Sequence, residues 1–507
     1  MRRVLEFCLA AGLLAGTTPA HAAWQEAKSK HFIIVGDTDP AELGEYAKKL
    51  ERFDQAVRMA RGMGDPALTD SGRLRIYFLK NVDQLVDLTG GYGILGQYIG
   101  RASGTYAFVS KIKGKDERDF NSDIVFFHEY AHHLMLQNWA AALPTWFVEG
   151  FAEFFGTAKI NDDGSVILGS ALNHRAYSVH ANQHDLYFSE MLGGTPQGLT
   201  AWQMEIMYSR GWLLTHYLTF EPSRRGQLDR YIAGIQQGQN ALDAARAAFG
   251  DLRKLENELD KYADAKEIKG VVIRPDPAKI GTISVRSLAP AEAALMPIRM
   301  RSDYGVSEQT ARIVAGRARK LAAAYPSDAF AQSVLAEAEY DADYFDASEH
   351  AADRALAADP NNVHALIYKG RAEMARAKTA PATVDWSKVR ALFAKANRLD
   401  TENAEPLMLY YRTFKESRAT PTPSAVNGLL YALVLAPQDS GLRWLAVRQL
   451  LTDHRLKEAK QALAPMAFEP HSERTRTLAD QVVAAINAGD STKALELIEE
   501  RDSKKKQ

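Results

Sequence analysis

The pentapeptide His128-Glu129-Tyr130-Ala131-His132 constrains this chain most, because its two imidazoles can work together only if the segment is helical. Residues four apart share a helical face, so His128 and His132 can offer two ring nitrogens to one metal ion, with Glu129 turned toward a water on that ion. Asn121, Ser122 or Asp123 stands ready as an N-cap ahead of Ile124-Val-Phe-Phe127, which places the motif in the second and third turns of a helix. Zinc takes imidazole and carboxylate ligands and keeps a position open for water in catalytic sites. The spacing therefore predicts a zinc-binding helix.

Composition narrows the rest. The chain has 507 residues and is 46% hydrophobic, enough for two or three domains with proper cores. Lys+Arg 62 against Asp+Glu 63 leaves a formal net charge of -1, so no global basic field holds it on nucleic acid or anionic lipid. The one cysteine, Cys8, lies in the N-terminal apolar run, which removes disulfides and thiol chemistry from everything that follows. Met1-Arg2-Arg3, the apolar run from Val4 to Ala15 and the small-residue site Ala20-His21-Ala22 together read as a secretory signal peptide over 1–22. A periplasmic or secreted protein is expected, with no membrane span in the mature chain.

Residues 30–36 and 73–79 are strand-like, and between them Leu43, Tyr46, Leu50, Phe53 and Val57 keep helical spacing, predicting a β-α-β opening. A Gly-rich stretch from Gly90 leads into a further strand over 104–110, and residues 121–235 are mainly helical. Asn161-Asp-Asp-Gly164 reads as a turn between short strands. The segment 271–305 is expected to be a small β element or a linker. Beyond 306 the chain becomes Ala-rich and repeats itself. Pro326 and Pro360 stand 34 residues apart, and Ala355-Leu-Ala-Ala-Asp-Pro aligns with Ala396-Asn-Arg-Leu-Asp-Thr and Ala432-Leu-Val-Leu-Ala-Pro. That period resembles tetratricopeptide repeats, predicting a helical solenoid over 306–507 that folds by itself and binds a protein partner. A break near Pro297 should leave the first part folded.

A catalytic zinc needs a third protein ligand, and Glu149-Gly150-Phe151-Ala152-Glu153 supplies two carboxylates four apart at the start of a second helix. Here the chain resembles the gluzincin metallopeptidases, the peptidase MA-like superfamily of thermolysin and the zinc aminopeptidases, in which HExxH is followed by such a glutamate. The resemblance implies an α+β, zincin-type catalytic domain over 23–270, a small sheet plus active-site helices, ahead of the helical repeats. It implies Zn2+ as cofactor, His128, His132 and Glu149 as ligands, and Glu129 as general base. Glu153 is the alternative carboxylate, or else the partner of the outer nitrogen of His128. Tyr208 stands where aminopeptidase-type members place an oxyanion donor, and Arg210 is the second candidate. Gly104–Ser110 is in position to be the edge strand that pairs with an extended substrate. It lacks the acidic residue of an aminopeptidase, which favours an endopeptidase. His133, His174, His180, His184 and His216 are read as surface or core histidines.

The resemblance thus implies an exported zinc endopeptidase acting on a peptide or protein substrate, with a zinc-bound water activated by Glu129. The alternative is a non-catalytic repeat scaffold with a structural or vestigial zinc site.

Overall fold

The computed structural model describes residues 24–91, 96–111, 121–139, 143–181, 185–194, 198–265, 267–377, 384–468 and 473–504. Residues 1–22, read above as a signal peptide, His184 and residues 505–507 lie outside them. The first region is mixed α/β. Strands β1 (Trp24–Lys28), β2 (Phe32–Asp37), β3 (Leu74–Leu79), β4 (Gly96–Arg101), β5 (Gly104–Ser110) and β9 (Ser284–Ser287) form one sheet in the order β4-β5-β3-β2-β1-β9. A second sheet has the order β6-β7-β8, from Lys159–Ile160, Val166–Leu168 and Val271–Ile273. Its first two strands flank the turn at 161–164.

Helix α1 (Pro40–Arg61) starts where Asp39 accepts the N–H groups of Ala41 and Glu42 and Pro40 presets the first turn. It carries the chain from β2 to the parallel β3, with Ile34 opposite Ile76, so the opening is a β-α-β unit. Side chains alternate across these strands. Phe32, Ile34, Ile76, Ala107 and Val109 face a core shared with α1 and α3 (Ser122–Asn138), whose Phe126, Phe127, Tyr130 and Leu134 are buried. Phe53 and Phe127 stack there with ring centroids 3.9 Å apart. Truncating such a ring to alanine costs about 3–5 kcal/mol, so this packing fixes how α3 sits on the sheet.

Strand β5 is bonded on both sides, parallel to β3 and antiparallel to β4. It is therefore not the edge strand expected from the sequence; β4 is. The continuous apolar run Tyr106-Ala-Phe-Val109 that makes 104–110 legible as a strand is that of an interior strand, buried on both faces, whereas Gly-rich β4 is half-buried along its whole length.

The other helices of this region are α2 (Val82–Thr89), α4 (Thr145–Gly156), the short α5 (Ala176–Val179) and α6 (Phe188–Leu192), α7 (Ala201–Phe220), α8 (Gln227–Gln236), α9 (Ala241–Phe249), α10 (Leu252–Ala263) and α11 (Pro277–Ile280). The helical C-terminal region runs from α12 (Pro290–Tyr304) through α13 (Glu308–Ala322), α14 (Ala329–Asp341), α15 (Phe345–Ala358), α16 (Val363–Arg376), α17 (Trp386–Leu399), α18 (Ala404–Glu416), α19 (Pro423–Leu435), α20 (Ser440–Thr452), α21 (Leu456–Leu463), α22 (Glu473–Asn487) and α23 (Ser491–Lys504). From α12 to α21 consecutive helices pack on one another, and α12, α14, α16 and α18 also touch in turn, so two layers form.

The segment 271–305 is built into the first region. Strand β9 pairs with β1, and Leu288 and Met296 join Ile33, Val35, Tyr77 and Phe108 in a core on the other face of the large sheet. The Tyr77 hydroxyl donates to Asp303 at 2.5 Å. Pro297 lies inside α12. A break there would uncover that face of the sheet, so Pro297 is not the clean boundary that its place before the Ala-rich stretch suggests.

Candidate metal centre

Helix α3 is capped by Asn121, whose side chain accepts the N–H groups of Asp123 and Ile124. Two turns on, His128 and His132 point their Nε2 atoms at one another across 3.1 Å. Glu149, fully buried on α4, brings its Oε2 to 3.5 Å from each. Helix α4 is held there by close backbone packing. A Cβ on Gly150 would lie 2.3 Å from the Gly211 carbonyl of α7, and one on Gly211 would lie 2.4 Å from the Trp146 carbonyl. Only hydrogen fits at that crossing, which also sets Tyr208, one turn before Gly211, beside the cluster.

Both Glu149 oxygens are buried without a hydrogen-bond partner. A buried carboxylate costs several kcal/mol unless positive charge meets it, and the positions open to that charge are the two facing imidazoles or a cation held between them and Glu149. Burial alone would raise the Glu149 pKa, but the imidazoles of His132 and His128 hold it well below the usual carboxylate range. Burial likewise opposes charge on His128, yet Glu149, Glu153 and Glu129 together push it up to about 9. A point equidistant from the three facing atoms lies about 2 Å from each, the bond length of zinc to nitrogen and carboxylate oxygen. Donor type, distance and the orphaned carboxylate all fit a zinc ion.

Glu153 is placed differently. Its carboxylate stands 3.6 Å from His128 Nδ1, accepts from Arg175 Nε at 2.8 Å and lies 3.2 Å from His174 Nε2. It faces the outer nitrogen of His128, the usual place for the group that orients a ligating imidazole. Glu129 is half-buried, and its charge acts on both His128 and the Tyr98 hydroxyl. The Tyr208 ring lies over His128, centroids 6.1 Å apart and planes 22° apart. Burial first, then the Glu149 carboxylate, keeps its phenol protonated far above the ordinary range. Arg210 is spent elsewhere, 2.7 Å from Asp260.

Two residues at this site were not singled out from the sequence. His174, whose sequence context reads as that of a surface or core histidine, touches Glu153. Arg175 links Glu153 to Glu205 and lays its guanidinium 4.5 Å from the Tyr208 ring centroid. Both sit in a short turn after an irregular segment, where no periodicity marks them. His133 and His216 are core histidines, the first 2.8 Å from the Tyr98 hydroxyl and the second against the carbonyls of Gly169 and Lys269. His180 is exposed. No protein-family model matches the chain, and no curated protein matches it.

Proposed function

We propose that the chain is an exported zinc metallopeptidase of gluzincin type, an endopeptidase whose catalytic domain carries tetratricopeptide-like repeats. The observation that carries this reading is the buried Glu149 carboxylate, without a hydrogen-bond partner, facing two imidazoles at zinc-ligand separations. His128, His132 and Glu149 hold the ion. Bound there, zinc supplies Lewis acidity toward a peptide carbonyl and toward water. Glu129 takes the proton of the attacking water and passes it to the leaving amine. Tyr208, kept protonated, donates to the oxyanion as it forms. Arg175 holds Tyr208 from above and Glu153 from the side. Glu153 in turn orients His128.

Edge strand β4 runs beside the HExxH helix. Its Tyr98 reaches His133, and a Cβ on Gly96 would lie 2.8 Å from Val125. An extended peptide can add by main-chain pairing to its outer edge, which no described strand covers. Among the described residues no helix is long and apolar enough to cross a membrane.

Glu129→Gln keeps the shape and removes the base. It should retain about one zinc per chain while cleavage of a peptide library falls by about a hundredfold or more. Undiminished cleavage would end the hydrolytic mechanism. A zinc-loaded wild type that cleaves nothing would favour the scaffold.

A further inference from the structure

Strand β4 and the hairpin it forms with β5 are gripped at two points, and the second grip comes from the distant end of the chain. At the inner end, Tyr98 and Gly96 rest on α3. At the tip, the loop between α19 and α20 reaches in. Asp439 Oδ2 accepts the Ala102 N–H at 2.7 Å, and Gln438 Nε2 donates to Thr105 Oγ1 at 2.7 Å. Arg101 donates to the carbonyls of Asp303 and Tyr304 at 3.2 and 2.8 Å. Ala102 is 5% exposed and belongs to the same core as Tyr411, Leu429 and Leu442 of the helical region. The contact at Gly100 is tight: a Cβ there would fall 1.9 Å from Gln438 Cγ.

A strand that among the described residues pairs on one side, half-buried and rich in glycine, has little of its own to fix its position. We propose that Gln438 and Asp439 are positioning residues. They hold the β4–β5 hairpin from the helical region, so that the outer edge of β4 stays aligned with the metal centre for an extended peptide. The helical region thereby acts on substrate alignment through the hairpin, and a ligand that displaces the 438–439 loop would weaken peptide binding without touching the metal. This rests on the peptidase reading for its consequence, though the grip itself does not.

Asp439 allows a clean test because its two oxygens do different things. Oδ1 caps α20 by accepting the Leu442 N–H at 2.8 Å, while Oδ2 holds Ala102. Asn is as good a cap as Asp, so Asp439→Asn keeps the helix and removes the second acceptor. In the full-length zinc-loaded protein, this variant combined with Gln438→Ala should speed amide exchange over residues 97–105 by about fivefold. Exchange in α18–α20 and zinc content should stay as in wild type. KM for a long peptide should rise by a similar factor with kcat unchanged. Gly100→Ala, which pushes Gln438 out from the other side, should reproduce the local exchange effect. Unchanged exchange over 97–105, loosening spread evenly through α18–α20, or a fall in kcat at constant KM would overturn the proposal. If the wild type cleaves nothing, the peptidase reading fails on that result, and the exchange data still decide the grip.

Discussion

Two buried clusters of imidazole and carboxylate lie on opposite sides of α3, and only one has the features of a metal site. On one side stand His128, His132 and Glu149; on the other, Tyr130 reaches a group made of His31, Glu51 and Asp54. Each gathers imidazole and carboxylate ligand atoms within 4.8 Å of one another. In the second cluster, however, every carboxylate is already served. Glu51 accepts the His31 backbone N–H at 2.7 Å and lies 2.7 Å from its Nδ1, and Asp54 accepts from Arg58 Nε and the Tyr130 hydroxyl, each at 2.8 Å. His31 Nε2 has Asp65 at 3.0 Å. The Arg58 guanidinium meets the charge of Asp54 directly. In the first cluster the Glu149 oxygens have no such partner. Proximity gathers candidates for a metal site, and an unmet acceptor selects among them.

The comparison breaks most sharply on metal content. His128→Ala or His132→Ala should abolish zinc binding measured by elemental analysis, and Glu149→Gln should lose more metal than Glu153→Gln. Glu51→Gln and His31→Gln should leave zinc at wild-type level. Zinc lost from His31→Gln and retained by His128→Ala and by His132→Ala would reverse the assignment of the two clusters.

A smaller effect separates them by stability. Asp54→Ala leaves the largely buried Arg58 guanidinium without its carboxylate, which costs about 3–5 kcal/mol. Chemical denaturation of the metal-free protein reads this directly. Asp54→Ala with unchanged stability would mean that the cluster is not the pin that holds the back of α3.

The smallest effect is a pH dependence. Burial works against charge on His31, but the Glu51 hydrogen bond and the Asp54 charge outweigh it, and its pKa is raised. A raised folded-state pKa stabilises fully below the unfolded value of about 6.5, and the contribution is lost as pH rises through the folded-state value. The wild type should therefore lose stability relative to His31→Gln as pH rises from below the unfolded value of about 6.5 through the raised folded-state value. Parallel denaturation curves for the two proteins over that range would remove His31 as the titrating group.

The clusters also divide what could be read early from what could not. His128, Glu129, His132 and Glu149 announce themselves because their partners are one helical turn or one short loop away, so local spacing carries the information. Tyr208 was reachable through the family resemblance, and the structure sets its ring over His128. Nothing local marks Arg175 or His174, which approach Glu153 from a short turn, or Asp54, which meets Tyr130 from 76 residues away. Strand β4 escaped notice because an edge strand need not alternate apolar and polar residues, and its glycines look like a loop.

The sequence by itself determined the elements whose evidence is periodic or adjacent: the β-α-β opening, the metal-ligand spacing on α3, the change to an Ala-rich helical region. These follow from the repeat of a helix or a strand, which a single segment displays. Only the tertiary structure decided which carboxylate stays unmet, that β4 and not β5 is the edge, and that α12 and the 438–439 loop pack against the first region. Each of those depends on contacts between segments far apart in the chain, where burial and the supply of hydrogen-bond donors are set by the fold as a whole.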